Sequence, residues 1–138
     1  MLSLMNAVSI KKRPKLYAVD YIQLLEYEDT KKNRAEQLNN MCDRLKNFAL
    51  ENKVAVLILA QLTKNSGGLP PELRDIRDSS GIAASADCVL LLNRMFDDGS
   101  GKTVPVNDRA EIRVRKNRFG RDEDIVVLCE LGLNRFRT

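Results

Sequence analysis

Two polar residues at the ends of apolar runs offer the first chemistry in this sequence. Asp20 closes Leu16-Tyr17-Ala18-Val19, and Gln61 follows Val56-Leu57-Ile58-Leu59-Ala60. A carboxylate where a buried strand ends can hold Mg²⁺ beside phosphate groups, because ligands of open α/β sheets gather beyond the carboxyl ends of the strands. An amide such as Gln61, on a neighbouring strand, could sense a phosphate or orient water. Both residues have a plainer reading: many buried strands end in Asp for turn reasons, and a polar residue often caps a strand end. A third feature lies further along. From Arg109 to Arg121 the basic residues are Arg109, Arg113, Arg115, Lys116, Arg118 and Arg121, against the single acid Glu111. Such density favours a polyanion, either nucleic acid or nucleotide phosphate, with a solvated strand face as the alternative.

Composition removes several other chemistries. The 138 residues contain no histidine, so the usual Ser-His and Cys-His nucleophile pairs are absent. The three cysteines, Cys42, Cys88 and Cys129, sit in apolar stretches without a CxxC spacing. They read as reduced core residues, not as zinc ligands. Hydrophobic residues make up 43% and charged residues 30%, which suits a soluble globular chain. The longest apolar run, Val54 to Ala60, is too short to span a bilayer. Met1-Leu2-Ser3-Leu4-Met5 lacks the charged region and long apolar stretch of a signal peptide. A cytoplasmic protein without a membrane partner is expected. The net charge of +4 is compatible with nucleic acid but weak by itself.

These residues need elements to position them. Residues 1 to 10 read as the end of a helix, followed by a turn at Lys11-Lys12-Arg13-Pro14. Leu16 to Leu25 is a near-continuous apolar run that suits a strand buried on both faces of a parallel sheet. Glu26 to Lys32 is polar loop. Asn33 can then cap a helix, with Glu36 in the capping-box position. Leu38, Met41, Cys42, Leu45, Phe48 and Ala49 recur at helical spacing to about Glu51. Val54 to Leu62 is a second buried strand, and strand-helix-strand implies a parallel pair with a right-handed crossover. Thr63 to Pro71 reads as a loop and Glu72 to Ala86 as a segment with a short helix. Asp87 to Asn93 is a third apolar strand, and Asp97-Asp98-Gly99-Ser100-Gly101 a second loop. Glu111 to Lys116 and Ile125 to Leu131 form a hairpin about Arg118-Phe119-Gly120-Arg121-Asp122. No internal repeat and no second domain is read; residues 1–138 form part of one domain.

Four motifs in order carry a family resemblance over nearly the whole chain, from about Lys15 onward. Asp20-Tyr21-Ile22-Gln23-Leu24, then a helix, then Ala60-Gln61-Leu62, resembles the Walker B strand and following motif of DnaB-like replicative helicases. So does Asp75-Ile76-Arg77-Asp78-Ser79-Ser80-Gly81-Ile82 followed by Ala86-Asp87. Lys116-Asn117-Arg118-Phe119-Gly120 resembles the late Lys-x-Arg-x-Gly hairpin, and Asn134-Arg135-Phe136 the closing segment. The resemblance implies an α/β, RecA-like fold of the P-loop NTPase class: a mostly parallel sheet with flanking helices and a C-terminal antiparallel hairpin. It implies an ATP-dependent DNA helicase that uses ATP and Mg²⁺, acts on single-stranded DNA and assembles as a homo-oligomeric, hexameric ring. It further implies that Asp20 is the magnesium-linked acid, with Gln61 and Gln23 at the nucleotide. Gln61 couples nucleotide state to the DNA-binding loops. Lys116 and Arg118 reach a neighbouring subunit's ATP site, where a guanidinium can neutralise charge developing on a transferring phosphoryl group. Arg74, Arg77, Asp78 and Gly81 belong to the loop that contacts the DNA backbone.

The sequence departs from the family in places. It has Arg77-Asp78-Ser79-Ser80-Gly81 where Arg-Glu-Ser-Gly is usual, and Ala83-Ala84-Ser85 where acids and amides are usual. No G-x-x-x-x-G-K-[ST] occurs, so the phosphate-binding loop is absent. The family's catalytic glutamate upstream of the Walker B strand is absent too. The expectation is an N-terminally truncated domain, inactive alone, whose missing half is a partner. Two other readings stand beside it: a RadA- or KaiC-like ATPase fragment, and a non-catalytic DNA-binding or regulatory remnant.

Overall fold

The structure is a computed structural model that describes residues 1–25, 33–63, 70–77, 80–97, 104–130, 133 and 135–137. The expected loop 26–32 lies outside them, as do 64–69 of the expected loop 63–71, 98–101 of the expected loop 97–101, and Asp78 of the expected DNA loop. The chain divides into two compact units, Met1–Gln61 with Ile76–Ala86, and Leu62–Asp75 with Asp87–Thr138.

In the first unit, helix α1 (Leu2–Lys12) ends where Arg13 adopts a left-handed conformation, φ 47 and ψ 52. Strand β1 (Leu16–Val19) follows. Helix α2 (Arg34–Asn52) begins as its sequence suggests: the Asn33 side chain accepts a hydrogen bond from the Glu36 backbone N–H at 2.9 Å. That cap satisfies one of the otherwise unpaired N–H groups of the first turn. The helical stripe is buried at Leu38, Cys42, Leu45 and Phe48. Strand β2 (Ala55–Ile58) pairs parallel with β1, with Leu16 opposite Ala55 and Val19 opposite Ile58. Because side chains alternate across a strand, Tyr17 and Val19 share one face. Tyr17 meets Phe48 of α2 edge to face at 5.3 Å. Its hydroxyl lies 2.7 Å from Ser9 Oγ and donates to the Met5 carbonyl at 3.0 Å, tying α1 to the sheet. The opposite face carries Leu16, Leu57 and Leu59, all exposed.

The apolar run Leu16–Leu25 is not one strand. β1 stops at Val19, and Ile22–Leu24 forms a 3₁₀ turn. Ile22 donates its N–H to Leu59 O at 3.0 Å and is fully buried. Burial, not strand pairing, accounts for the apolar character beyond Val19. The regular β2 ladder is correspondingly short, ending at Ile58 rather than Leu62. Helix α3 (Ser80–Ser85) supplies the short helix expected within 72–86 and packs on α2.

The second unit is a four-stranded antiparallel sheet in the order β3 (Cys88–Asp97), β4 (Val104–Asn117), β5 (Asp124–Glu130), β6 (Arg135–Arg137). Leu92 faces Ile112, and Ile112 faces Ile125. Ala110, Val127 and Cys129 form a buried cluster with Ile112 against it. The hairpin expected about Arg118–Asp122 joins β4 to β5. The expectation of three core cysteines is corrected at one position: Cys42 and Cys129 are buried, but Cys88 is exposed. It opens β3, where alternation puts Val89 inward and Cys88 outward. No helix among the described residues is long and apolar enough to cross a membrane.

Candidate functional site

In the first unit, Asp20 directly follows β1, and Gln61 lies shortly beyond β2. Because the strands are parallel and in register, both leave the sheet at its carboxyl end. Asp20 is exposed, and the Asp20–Tyr21 peptide is cis. The Leu59 N–H donates to Val19 O at 2.9 Å, which continues the pairing past the regular ladder. Gln23 packs beneath this end of the sheet. It is 6% exposed, and both ends of its amide are engaged with the Gln61 backbone. Gln61 N–H donates to Gln23 Oε1 at 3.1 Å, and Gln23 Nε2 donates to Gln61 O at 3.3 Å. Gln23 therefore holds Gln61 in place. Its burial is tolerated because a buried amide with both groups paired escapes the penalty of unmet hydrogen bonds.

Arg77 and Gly81 also belong to this unit. The Arg77 N–H donates to Gln61 O at 3.1 Å, and the Arg77 side chain is exposed. Gly81 has a steric reason to be glycine. A Cβ built there would fall 1.9 Å from Asn39 Oδ1 on α2. The close approach of α3 to α2 is fastened further by Ser85 Oγ, which donates to Asp43 Oδ1 at 2.7 Å.

The second unit holds Arg74, Lys116 and Arg118. Arg74 is exposed on a 3₁₀ turn, Leu73–Asp75. Asp75 organises that turn, accepting the Glu72 N–H on Oδ2 at 2.8 Å while its own N–H donates to Glu72 O at 2.9 Å. Lys116 lies on β4 opposite Val89. Arg118 sits just past β4, its N–H donating to Asp87 O at 2.8 Å and its guanidinium 3.1 Å from Asp87 Oδ1.

Arg113, Arg115 and Arg118 of the basic cluster pair with acids within the chain. Glu72 receives Arg113 Nη2 and Arg115 Nε, each at 3.3 Å, one on each carboxylate oxygen. Asp124 takes Arg115 Nη1 at 2.5 Å, and Arg113 Nε lies 3.5 Å from it. The hydrogen bonds from Arg115, helped by the charges of Arg115 and Arg113 and opposed by desolvation, hold the Asp124 carboxyl below its ordinary range. Counting acids inside 109–121 missed these partners, because Glu72, Asp87 and Asp124 lie outside that window. No local signal marks Glu72 as a partner of β4; only folding brings it there. Arg109 and Arg121 are exposed.

Asp20 suits Mg²⁺ as a single carboxylate, since that ion commonly takes one or two carboxylates and fills its shell with water and phosphate oxygens. Among the described residues, no group of three or more acidic or sulfur ligands gathers.

The profile of the DnaB-like helicase C terminal domain matches residues 3–138. The replicative DNA helicase DnaB of Mycobacterium intracellulare is 30% identical over 125 residues, covering 88% of this chain and 21% of that protein. Its counterpart in Helicobacter pylori J99 is 37% identical over 81 residues, 56% of this chain and 17% of that protein. The chain thus spans about a fifth of the length of the curated relatives it matches. Among solved structures, an ATPase domain superposes with a TM-score of 0.82 at 26% identity, over 98% of this chain and 50% of that one. A DnaB-like replicative helicase, described with its interactions with primase, gives 0.80 at 26% identity over 97% and 34%. A KaiC-like protein of Pyrococcus horikoshii gives 0.64 at 16% identity, over 99% and 54%, which speaks for the fold alone. The chain has a RecA-like fold and belongs to the family of DnaB-like helicase C-terminal domains.

Proposed function

We propose that residues 1–138 are part of one ATPase domain of a cytoplasmic replicative DNA helicase that couples ATP hydrolysis to movement along single-stranded DNA. The observation that carries this reading is the in-register parallel pair β1–β2, which takes Asp20 and Gln61 to the same end of the sheet in a chain matched by the family over residues 3–138. Asp20 would hold Mg²⁺ against the phosphates of ATP. The bound ion would neutralise phosphate charge there. Gln61, fixed by Gln23, is suited to relay nucleotide state, because its carbonyl accepts the Arg77 N–H. Arg74, Arg77, Asp78 and Gly81 make up the DNA-facing segment in this reading.

Lys116 and Arg118 act on the ATP site of a neighbouring subunit in a hexameric ring. Arg118 must leave Asp87 to do so. That pair is half exposed, with side chains 54% and 36% accessible, and exposed ion pairs are worth about 1 kcal/mol or less. The contact is weak enough to exchange for a phosphate. The exposed apolar face of Leu16, Leu57 and Leu59 supports a partner as well, namely the rest of the ATPase domain. A parallel sheet is normally covered on both faces.

The 138 residues contain no phosphate-binding loop motif, so this chain alone is expected to bind single-stranded DNA without turning over ATP. Titration of a labelled oligothymidylate should give an affinity that falls steeply with salt, the mark of phosphate contacts. Phosphate release from Mg-ATP with DNA present should stay at the buffer level. No DNA binding at low salt, or turnover that Asp20→Ala abolishes, would overturn the proposal.

A further inference from the structure

The segment that bears Arg74 is tied to β4 by a two-arginine clamp. Arg113 and Arg115 alternate with Val114 on β4 and so project from one face of the strand. Glu72 bridges them, one oxygen to each guanidinium, at 3.3 Å. The arginine side chains are 14% and 18% exposed, against 42% for Glu72. Asp124 braces the same two arginines from β5, the neighbouring strand. Arg113 Nη1 also reaches Pro71 O at 3.5 Å. Beyond Glu72, the turn closes on itself through Asp75, which takes the Thr63 N–H on its carbonyl at 2.7 Å. Arg74 stands on this turn, exposed. Two guanidiniums in partly dry surroundings hold a shared carboxylate more firmly than a lone surface pair would.

We propose that Arg113, Arg115 and Glu72 are positioning residues that present Arg74 to the backbone of single-stranded DNA. The inference rests on the DNA reading of Arg74 given above. It assigns a task to three charged residues that the motifs leave unused. Because β4 also leads to Lys116 and Arg118, the same strand connects the DNA-facing turn to the hairpin that would meet a neighbouring subunit.

The sign of one substitution separates positioning from plain electrostatics. Glu72→Gln removes a negative charge beside a polyanion site. Electrostatics alone predicts tighter DNA binding and a steeper salt dependence. Loss of the clamp frees Arg74 and predicts weaker binding, by about threefold to tenfold at about 0.1 M salt, if the clamp contributes like a good partly buried pair. The assay is oligothymidylate binding by the full chain, with Arg74→Ala and the double variant alongside. If positioning acts through Arg74, Glu72→Gln weakens the parent but causes no further weakening in the Arg74→Ala background. Amide exchange across 70–77 is read on the same proteins and should speed up in Glu72→Gln. Tighter binding by Glu72→Gln, or unchanged exchange at 70–77, overturns the clamp. Unchanged binding by Arg74→Ala, with exchange accelerated in Glu72→Gln, instead overturns the DNA reading of the segment. The two failures are thus distinguishable.

Discussion

Replacing Gly81 by alanine separates a packing role from a DNA-contact role for that residue. The added Cβ would lie 1.9 Å from Asn39 Oδ1, 2.3 Å from its Cγ and 2.7 Å from its Cβ. Rotation of the Asn39 side chain can move Oδ1 and Cγ away. It cannot move Asn39 Cβ, which the backbone of α2 fixes. The clash therefore persists unless α3 backs off, which opens the α2–α3 packing. Overpacking of this kind costs about 1–3 kcal/mol, and the lack of a rotational escape puts this case near the upper end. Alanine's better helix propensity returns about 1 kcal/mol. A net loss of about 2 kcal/mol is expected, which for a slope near 2 kcal/mol/M lowers the urea midpoint by about 1 M. The assay is urea unfolding followed by helical circular dichroism. Asn39→Ala should cost little beforehand, because Asn39 Oδ1 is buried without a hydrogen bond. In the double variant most of the loss should remain, since Asn39 Cβ is still there to clash. A shift below about 0.5 kcal/mol for Gly81→Ala, or full recovery in the double variant, would refute the packing argument. If Gly81→Ala binds DNA weakly under conditions where it is fully folded, Gly81 approaches DNA as well.

Two further outcomes are expected. Burial first, and the charge of Asp43 second, push the Cys42 thiol up to about 11, and Cys129 is buried, while Cys88 is exposed. A thiol reagent at mildly alkaline pH should modify one cysteine rapidly and Cys88→Ser should abolish that phase; Cys42 reacting equally fast would contradict it, because the thiolate is the nucleophile. The depressed carboxyl of Asp124 contributes stability that is whole above its unfolded value and is lost as pH falls through its lower folded value. Acid should therefore loosen the β4–β5 pairing, seen as faster amide exchange after correction for intrinsic rates, and Asp124→Asn should flatten that part of the profile; superimposable profiles would contradict the assignment.

Much of the fold was legible because local rules and burial agreed. Asn33 and Glu36 marked the start of α2, and the cap forms there. The spacing of Leu38, Cys42, Leu45 and Phe48 marked the buried face. The parallel pairing of β1 and β2 followed from a helix long enough to cross between them. The exit from β1 was not legible. Leu16–Leu25 is apolar enough for a longer strand, yet Ile22 and Gln23 turn back to meet Leu59 and Gln61. Hydropathy reports that such residues are buried, but not which backbone buries them. Cys88 failed for a related reason: alternation on β3 turned one residue of an apolar stretch outward.

By itself the sequence determined which residue types stand where strands and turns begin and end, because caps, breakers and periodic apolar positions act over a few neighbours. That was enough to place Asp20 and Gln61 after apolar strands and Lys116 and Arg118 on a hairpin. Tertiary structure alone decided how the charges are paired. Glu72 lies far from Arg113 and Arg115 in sequence, yet both arginines meet its carboxylate. Asp87 likewise meets Arg118 across a long separation. Tertiary structure also assigned Gln23 to the Gln61 backbone and gave Gly81 a neighbour that leaves no room for a Cβ. Such pairings depend on which elements fold against one another, and a Coulomb or steric interaction acts through space whatever its separation along the chain.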